Sequence, residues 1–303
     1  MPEPLTIFTI PKAFTGHAGI IQTNAIRSWA AHHLHIVLVG NDPGVQELAT
    51  ELGATHLPDA ARTEHGTPLL DWAFRRADEA ARGRWVIFAN ADILFPDDPT
   101  PVLDRLGPRD ALAVGRRTNA DITTLLDFAT NRWRDDARAA AAKGHLFHPS
   151  AIDYFAFPRG SRLRELPPFA VGRPGWDNWY CDRALSLGLP LIDLTDALLA
   201  VHQNHDYSHI KGGGGKRHDG PDSRRNIDLA QGRYREIGDA TMRLTRDGRL
   251  LTNHFAAARA LWRQRSPSAR LHALAHLAHP ASWPDLARRA AIARRAAHPR
   301  PVA

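Results

Sequence analysis

The chain has 303 residues, and 43% of them are hydrophobic. It contains eight tryptophans and carries a formal net charge of +7. This length suits one large α/β domain with an appendage. The longest apolar runs, such as residues 5–10, have the length of a strand, so the sequence predicts no membrane-spanning helix. Cys181 is the single cysteine, which excludes an internal disulfide, and residues 1–4 lack the basic-then-apolar pattern of a signal peptide. These features predict a cytoplasmic protein.

Strand and helix patterns alternate through the first ninety residues. Apolar, β-rich runs predict strands at 5–10, 34–39, 53–57 and 85–89, and apolar residues at helical spacing predict helices at 19–31, 45–52 and 67–82. Strands that alternate with helices indicate a mostly parallel sheet covered on both faces. The expected fold is therefore α/β and Rossmann-like, with a central sheet flanked by helices.

The pattern changes after residue 109. Short strands are predicted at 111–114, 153–157, 191–194 and 198–201, and helices at 176–187, 226–237, 255–263, 271–278 and 286–297. The glycine run at 211–216 cannot hold a fixed backbone alone, which predicts a flexible segment. The predicted organisation is a main domain at 1–209, a glycine-rich loop at 210–225, and a helical, arginine-rich C-terminal appendage at 226–303.

A polar pair ends the predicted strand at 85–89. Side chains alternate along an extended backbone, so Asn90 and Asp92 are expected on one side while Ala91 points away. Two oxygen ligands suit Mg²⁺ or Mn²⁺, which keeps coordination positions for the oxygens of a diphosphate. Ligands of open parallel sheets gather at the carboxyl ends of the strands. Taken alone, such a tripeptide is more often a turn or a helix cap.

The context of this tripeptide resembles the GT-A fold glycosyltransferases, close to family 2 of the nucleotide-diphospho-sugar transferase superfamily. The resemblance rests on residues 66–70, the amphipathic helix after them and the strand that runs into Asn90 and Asp92. It implies glycosyl transfer from a nucleoside diphosphate sugar, with a UDP-sugar favoured, to a hydroxyl acceptor, assisted by Mn²⁺ or Mg²⁺. Asn90 stands where the family has the first aspartate of Asp-x-Asp, which removes a negative charge and lowers the expected metal affinity.

Donor-binding residues are expected at the strand ends and the loops beside them. Asp153 is a charge in an apolar strand, so it requires a cavity or a partner such as Arg116 or Arg117, and a purely structural ion pair fits equally well. Lys12 and Asp42 have plain alternatives as a solvated loop residue and a turn former. The resemblance and these considerations together assign the donor site to Ile10, Pro11, Lys12, Asp42, Thr67, Asn90, Ala91, Asp92, Arg116 and Asp153.

The predicted start of the helix at 176–187 carries aromatic residues on both sides of an acid. Sugars stack on aromatic rings and bond to amides, so Trp176, Asn178 and Trp179 are predicted to bind the acceptor. The resemblance implies that Asp177 is the catalytic base of an inverting enzyme and takes the proton of the acceptor hydroxyl. Trp176 replaces the first acid of the family's usual pair. The alternative is that Asp177 caps the helix and both tryptophans lie in the core.

Three histidines crowd residues 202–209. A structural zinc site is disfavoured, because the chain has one cysteine and no His-Glu-x-x-His motif. The resemblance implies that His202 or His205 completes the metal–diphosphate site, so the predicted metal ligands are Asp92, His202 and His205. The adjoining glycine run with Lys211 and Lys216 is then expected to act as a lid, with a plain linker as the alternative.

The C-terminal region is strongly basic. From residue 259 onward it contains nine arginines and one acid. This charge predicts peripheral contact with the inner face of a membrane, and a solvated helical face explains it equally well, whereas nucleic acid is disfavoured as a partner. The alternative functions are a sugar nucleotidyltransferase, which usually has a glycine-rich loop after the first strand, and a non-catalytic protein that binds membrane or nucleic acid through the tail.

Overall fold

The computed structural model describes residues 3–205, 219–264, 266–282, 284 and 286. The strands in these ranges are, in chain order, β1 Thr6–Thr9, β2 His35–Val39, β3 Thr55–Leu57, β4 Trp85–Ala89, β5 Ile93–Leu94, β6 Leu112–Val114, β7 Arg117–Ala120, β8 His145–Leu146, β9 Tyr154–Pro158, β10 Leu191–Asp193, β11 Ala200–Gln203, β12 Met242–Leu244 and β13 Leu250–Thr252. The α-helices are α1 Gly16–Ala30, α2 Val45–Leu52, α3 Leu70–Ala80, α4 Thr100–Asp104, α5 Arg132–Lys143, α6 Trp176–Ser186, α7 Pro221–Ala230, α8 His254–Arg263 and α9 Pro267–Ala278.

Nine strands form the main sheet in the order β13-β12-β10-β6-β9-β4-β1-β2-β3. Neighbours pair in parallel throughout β4-β1-β2-β3 and β12-β10-β6, while β9 pairs antiparallel with both β4 and β6, and β13 pairs antiparallel with β12. A smaller sheet has the order β5-β11-β7-β8. The mostly parallel α/β fold class predicted from the sequence is therefore confirmed.

Both faces of the main sheet are buried, because alternate strand residues point to opposite sides. On one side, Phe8 and Phe88 pack with Phe74 of α3, together with the start of α6. On the other side, Ile7 and Ile87 pack in the cluster that contains Trp29 of α1 and residues of α2. Continuous apolar strands such as β2 and β4 have this pattern because helices cover them on both sides.

Local backbone chemistry sets where the helices begin and end. α2 ends at Leu52, where Gly53 takes a φ of 62° and stops the helix. α6 begins after Gly175, whose φ of 96° turns the chain into the helix. This left-handed region is less favourable for residues with a Cβ, so glycine suits both turns.

The C-terminal region differs from its prediction. It contains strands as well as helices. β12 pairs in parallel with β10, and β13 pairs antiparallel with β12, so both strands extend the main sheet. α7 begins at Pro221, inside the span predicted to be a loop. The sequence analysis missed β12 and β13 because strands of three residues are too short for periodicity to reveal. The division of the chain into domains stays a prediction. The glycine run at 211–216 of the proposed lid and most of the helix predicted at 286–297 lie outside the described residues.

None of the helices in the described ranges has the length and apolar character needed to span a bilayer.

Candidate metal centre

Several polar residues meet at one edge of the main sheet. The carboxyl ends of β1, β2, β4 and β6 share this edge because these strands run in one direction. β9 runs the opposite way, so Asp153, which precedes it, lies at the same edge as Asn90, which follows β4. The Asn90 backbone N–H donates to the Asp153 carbonyl oxygen at 2.8 Å and prolongs the β4–β9 pairing. Ala91, which lies between Asn90 and Asp92 in the sequence, is 9% exposed.

The smaller sheet brings Asp92 and His202 together. β5 starts directly after Asp92 and pairs antiparallel with β11, with Ile93 opposite His202. The Gln203 backbone N–H donates to the Asp92 carbonyl oxygen at 3.3 Å, which carries the pairing one residue further. Two positions 110 residues apart in the sequence thus become neighbours through the register of two short strands.

Asp92, His202 and His205 form a compact cluster. The Asp92 Oδ2 atom lies 3.6 Å from the His202 Nε2 atom and 3.3 Å from the His205 Nε2 atom. One ligand atom from each residue lies within 4.8 Å of the other two, and in the described ranges this is the one such group of three or more. The metal ligands predicted from the sequence are therefore brought together by the fold.

Burial makes the cluster electrostatically demanding. His202 is 5% exposed, and among the described residues neither the Asp92 Oδ1 atom nor the His202 Nδ1 atom has a hydrogen-bond partner. Burial by itself raises the pKa of Asp92, but the charge of His202 and hydrogen bonds from His202 and His205 outweigh it and hold that pKa well below its usual value. Asp92 is thus an anion that depends on neighbouring positive charge.

The three side chains fit a divalent cation. A carboxylate oxygen without a partner is a ready ligand, and a metal ion would supply the positive charge that the buried anion requires. Carboxylates suit Mg²⁺ and Mn²⁺, while imidazole is favoured by softer ions of the first transition row. One carboxylate and two imidazoles are thus a mixed ligand set that can hold a divalent cation without selecting one ion.

A buried amide network holds the cluster against α1. The Gln203 Nε2 atom donates to the carbonyl oxygens of Ile21 at 2.8 Å and Asp92 at 3.3 Å, and its Oε1 atom accepts from the Asn24 Nδ2 atom at 3.0 Å. Gln203 and Asn24 are both fully buried. Sequence reasoning missed them; the available signal was a polar residue within the apolar stripe of a helix and another at the end of a strand.

A second polar group lies at the same edge. The Asn90 Nδ2 atom donates to the Asp153 Oδ1 atom at 2.7 Å, and the Arg117 Nη1 atom donates to the Asp153 Oδ2 atom at 2.8 Å. The guanidinium carbon of Arg117 lies 4.5 Å from the centre of the Phe147 ring. The expected partner of Asp153 is therefore Arg117, whereas the Arg116 Nε atom donates to the Phe147 carbonyl oxygen at 2.7 Å. Because its side-chain amide donates to Asp153, Asn90 belongs to this second polar group, although it lies only two residues before Asp92 of the metal cluster.

The residues predicted beside the nucleotide base lie at the ends of β1 and β2. Ile10 and Pro11 are buried just after β1. The Lys12 backbone N–H donates to the Gln22 side chain at 2.7 Å, which fixes the loop onto α1. Asp42 follows β2, and its Oδ2 atom lies 3.5 Å from a guanidinium nitrogen of Arg62. Because β1 and β2 are adjacent and parallel, these residues share the edge that carries the metal cluster.

Thr67, which was predicted to bind the donor, also makes a hydrogen bond within the protein. Its hydroxyl donates to the Asp222 Oδ2 atom at 2.5 Å, and Thr63 donates to the same oxygen at 3.2 Å. Asp222 is 5% exposed and belongs to the first turn of α7. Thr67 therefore ties the loop before α3 to α7.

The two tryptophans predicted to bind the acceptor are core residues. Trp176 and Trp179 are each 5% exposed. The Trp176 ring centre lies 5.3 Å from that of Phe88 and 5.0 Å from that of Phe155, and Trp179 packs on Phe169 at 5.2 Å. Their burial corrects the prediction, since rings enclosed in this way support α6 against the sheet rather than presenting a face to a sugar.

The other two residues at the start of α6 are polar. The Asn178 Nδ2 atom donates to the carbonyl oxygens of Ser150 at 3.1 Å and Arg235 at 2.9 Å, so Asn178 joins two loops. Asp177 is half-buried, and its Oδ1 atom accepts from the Asn178 backbone N–H at 2.9 Å. Trp176, its neighbour in the chain, packs on Phe88 of β4 and Phe155 of β9, so the start of α6 is fixed against the main sheet.

These features define an α/β protein with a candidate divalent-metal site at the carboxyl edge of a mostly parallel sheet. No family model and no curated protein matches the sequence. The structure is similar to glucosyl-3-phosphoglycerate synthase from M. tuberculosis in complex with Mn²⁺, UDP and phosphoglyceric acid, at 16% identity over 76% of this chain and 78% of that one, with a TM-score of 0.43. It is also similar to a mannosyltransferase from Pyrobaculum calidifontis in complex with GDP-mannose and Mn²⁺, at 16% identity over 97% and 81%, with a TM-score of 0.42.

Proposed function

We propose that this protein transfers a glycosyl group from a nucleoside diphosphate sugar to a hydroxyl acceptor. The observation that carries the proposal is the buried Asp92 carboxylate between two imidazoles at the carboxyl edge of a parallel sheet, with an oxygen that lacks a partner among the described residues. Such a group would hold a cation at the edge where ligands of open α/β sheets bind. A UDP-sugar is the first choice of donor, as the family resemblance implies.

The donor lies, in this proposal, along the polar edge. Asp92, His202 and His205 hold the cation, and a bound Mn²⁺ or Mg²⁺ would neutralise charge on the departing diphosphate. The ends of β1 and β2 border the base and the ribose through Lys12 and Asp42. The Asn90–Asp153–Arg117 group stands beside the cluster, and its members orient one another through hydrogen bonds of 2.7 and 2.8 Å.

The acceptor approaches from the start of α6. A carboxylate close to the acceptor hydroxyl can take its proton as the oxygen attacks the anomeric carbon, and Asp177 is the proposed base. Direct attack of this kind inverts the configuration of the anomeric carbon. Asp177 follows Trp176, whose ring packs on Phe88 of β4 and Phe155 of β9, so the proposed base belongs to a helix start that is fixed against the main sheet.

A transfer assay with single substitutions tests the assignment. The protein is incubated with UDP-sugars and GDP-sugars, Mn²⁺ and a panel of hydroxyl acceptors, and release of the nucleoside diphosphate is followed. Asp177→Asn is expected to keep donor binding and lose transfer by 10²-fold or more, roughly the contribution of a general base. Asp135→Asn, at an 82% exposed carboxylate on α5, is the matched control and is expected to behave as wild type.

Three results would contradict the proposal. Full transfer by Asp177→Asn would remove Asp177 from the role of base. Formation of a sugar nucleotide and pyrophosphate from a nucleoside triphosphate and a sugar phosphate would assign the chain to the nucleotidyltransferases instead. Absence of nucleotide binding under all conditions would favour a non-catalytic binding protein.

A further inference from the structure

The hairpin of α8 and α9 has an apolar outer surface. On α9, Ala269 and Ala273 are buried and face the rest of the protein. On its opposite side Leu271 is 69% exposed and Leu274 is 53% exposed. Ala275 and Ala278 continue the exposed stripe at helical spacing. α9 is thus apolar on the side that packs inward and also on the side that faces away.

A tryptophan and an arginine border this stripe. Trp262 lies near the end of α8 and is 50% exposed. The guanidinium carbon of Arg270 is 5.8 Å from the centre of the Trp262 ring, which places the ring beside the start of α9. Trp262, Leu271 and Leu274 therefore belong to one surface, here named the outer hairpin face. Contiguous exposed apolar groups of this kind mark sites of interaction.

The hairpin and the sequence that follows it are strongly basic. Residues 254–282 contain four arginines, four histidines and no aspartate or glutamate. Arg263 and Arg270 are exposed, while Arg259 is paired with Asp239. The sequence after residue 282 adds five arginines and one acid, Asp285. A partner that carries negative charge over a broad area would complement both the apolar stripe and its basic border.

We propose that the outer hairpin face docks on the surface of an anionic lipid bilayer, with α9 lying in the plane of the interface. Leucines that enter the acyl boundary, a tryptophan at headgroup depth and arginines at the phosphates are the features of interfacial helices. A second copy of the chain is a poorer occupant, because it would bring two basic faces together. This docking does not depend on the proposed glycosyl transfer.

Vesicle sedimentation of the full chain tests the apolar contribution. Binding is measured to vesicles of phosphatidylcholine alone and of phosphatidylcholine mixed with phosphatidylglycerol, and only the anionic vesicles are expected to retain the protein. The double variant Leu271→Glu/Leu274→Glu is expected to lower partitioning by roughly tenfold or more, since each leucine loses the gain from leaving water. Leu125→Glu, at a leucine that is 62% exposed elsewhere, is the matched control and should not change binding.

Two single substitutions of arginine test how much positive charge contributes to vesicle binding. Arg263→Gln and Arg270→Gln are each expected to lower partitioning onto anionic vesicles by about fivefold, the effect of one basic residue near such a surface. Arg75→Gln, at an exposed arginine of α3, should leave it unchanged. Circular dichroism melts establish that every variant is folded.

Three outcomes would overturn the proposal. Equal binding to neutral and anionic vesicles would show that charge plays no part. Unchanged vesicle binding by the double leucine variant would show that another surface is used. Light scattering that finds a dimer converted to a monomer by the same variant would assign the outer hairpin face to self-association.

Discussion

The ion pair of Asp153 and Arg117 is buried, so the loss of unfolding free energy on removing one partner can be predicted. The two residues are 8% and 9% exposed, and their side chains meet at 2.8 Å. Asp153→Ala leaves the guanidinium buried without its counter-charge and leaves the Asn90 amide without its acceptor. Loss of one member of a buried pair costs about 3–5 kcal/mol of unfolding free energy. The contact of Arg117 with Phe147 persists in the variant, so the lower end of this range is expected.

A second variant separates the missing charge from the missing packing. Removing both charges with Asp153→Leu/Arg117→Met leaves no unpaired ion, so the double variant is expected to recover most of the stability lost by Asp153→Ala. Urea denaturation gives the free energies, provided that the slope against denaturant is the same for all proteins compared. A loss below about 1 kcal/mol for Asp153→Ala, or a double variant no more stable than the single one, would refute the reasoning.

Three further predictions concern stability and metal binding. Burial, and to a lesser extent the charge of Arg82, lowers the pKa of His35 from 6.5 to about 4. The folded protein therefore favours neutral His35, so its contribution to stability is complete above pH 6.5 and falls by up to about 3 kcal/mol toward pH 4. Urea denaturation of His35→Gln at several pH values should not show this contribution. A Cβ at position 115 would lie 2.0 Å from the Tyr154 hydroxyl oxygen, so Gly115→Ala should cost about 1–3 kcal/mol, and Tyr154→Phe, which removes that oxygen, should recover part of it in thermal melts. Gln203→Leu breaks the amide network behind Asp92 and should weaken Mn²⁺ binding by about 10–100-fold in calorimetric titrations.

The parts of the fold that the sequence predicted well are those with long local patterns. α2 at Val45–Leu52 and β4 at Trp85–Ala89 have their predicted bounds, because an apolar stripe or run is closed at both ends by turn residues. The missed strands are short and depend on distant partners: β5 has two residues, and β7, with the sequence Arg-Thr-Asn-Ala, has no apolar alternation. Their pairing with β11 is non-local, so no window of the sequence contains it.

The candidate site divides in the same way. Asp92, His202 and His205 could be predicted through the family resemblance, which implies that a histidine after the last core strand completes the metal site. The bond between Asn90 and Asp153 could not, since it depends on β9 running antiparallel beside β4. The burial of the tryptophans of α6 is also a tertiary effect, because a sequence does not show which side of a helix start faces the sheet.

The central claim is that Asp92, His202 and His205 hold a divalent cation, and Mn²⁺ electron paramagnetic resonance tests it most directly. One Mn²⁺ per chain is expected, with couplings to imidazole nitrogen that weaken in His205→Gln and with binding that falls at least tenfold in Asp92→Asn. Asp97→Asn, at a half-exposed carboxylate paired with Arg138, is the matched control and should bind as wild type. Bound Mn²⁺ without any nitrogen coupling, or undiminished binding in Asp92→Asn, would contradict the assignment.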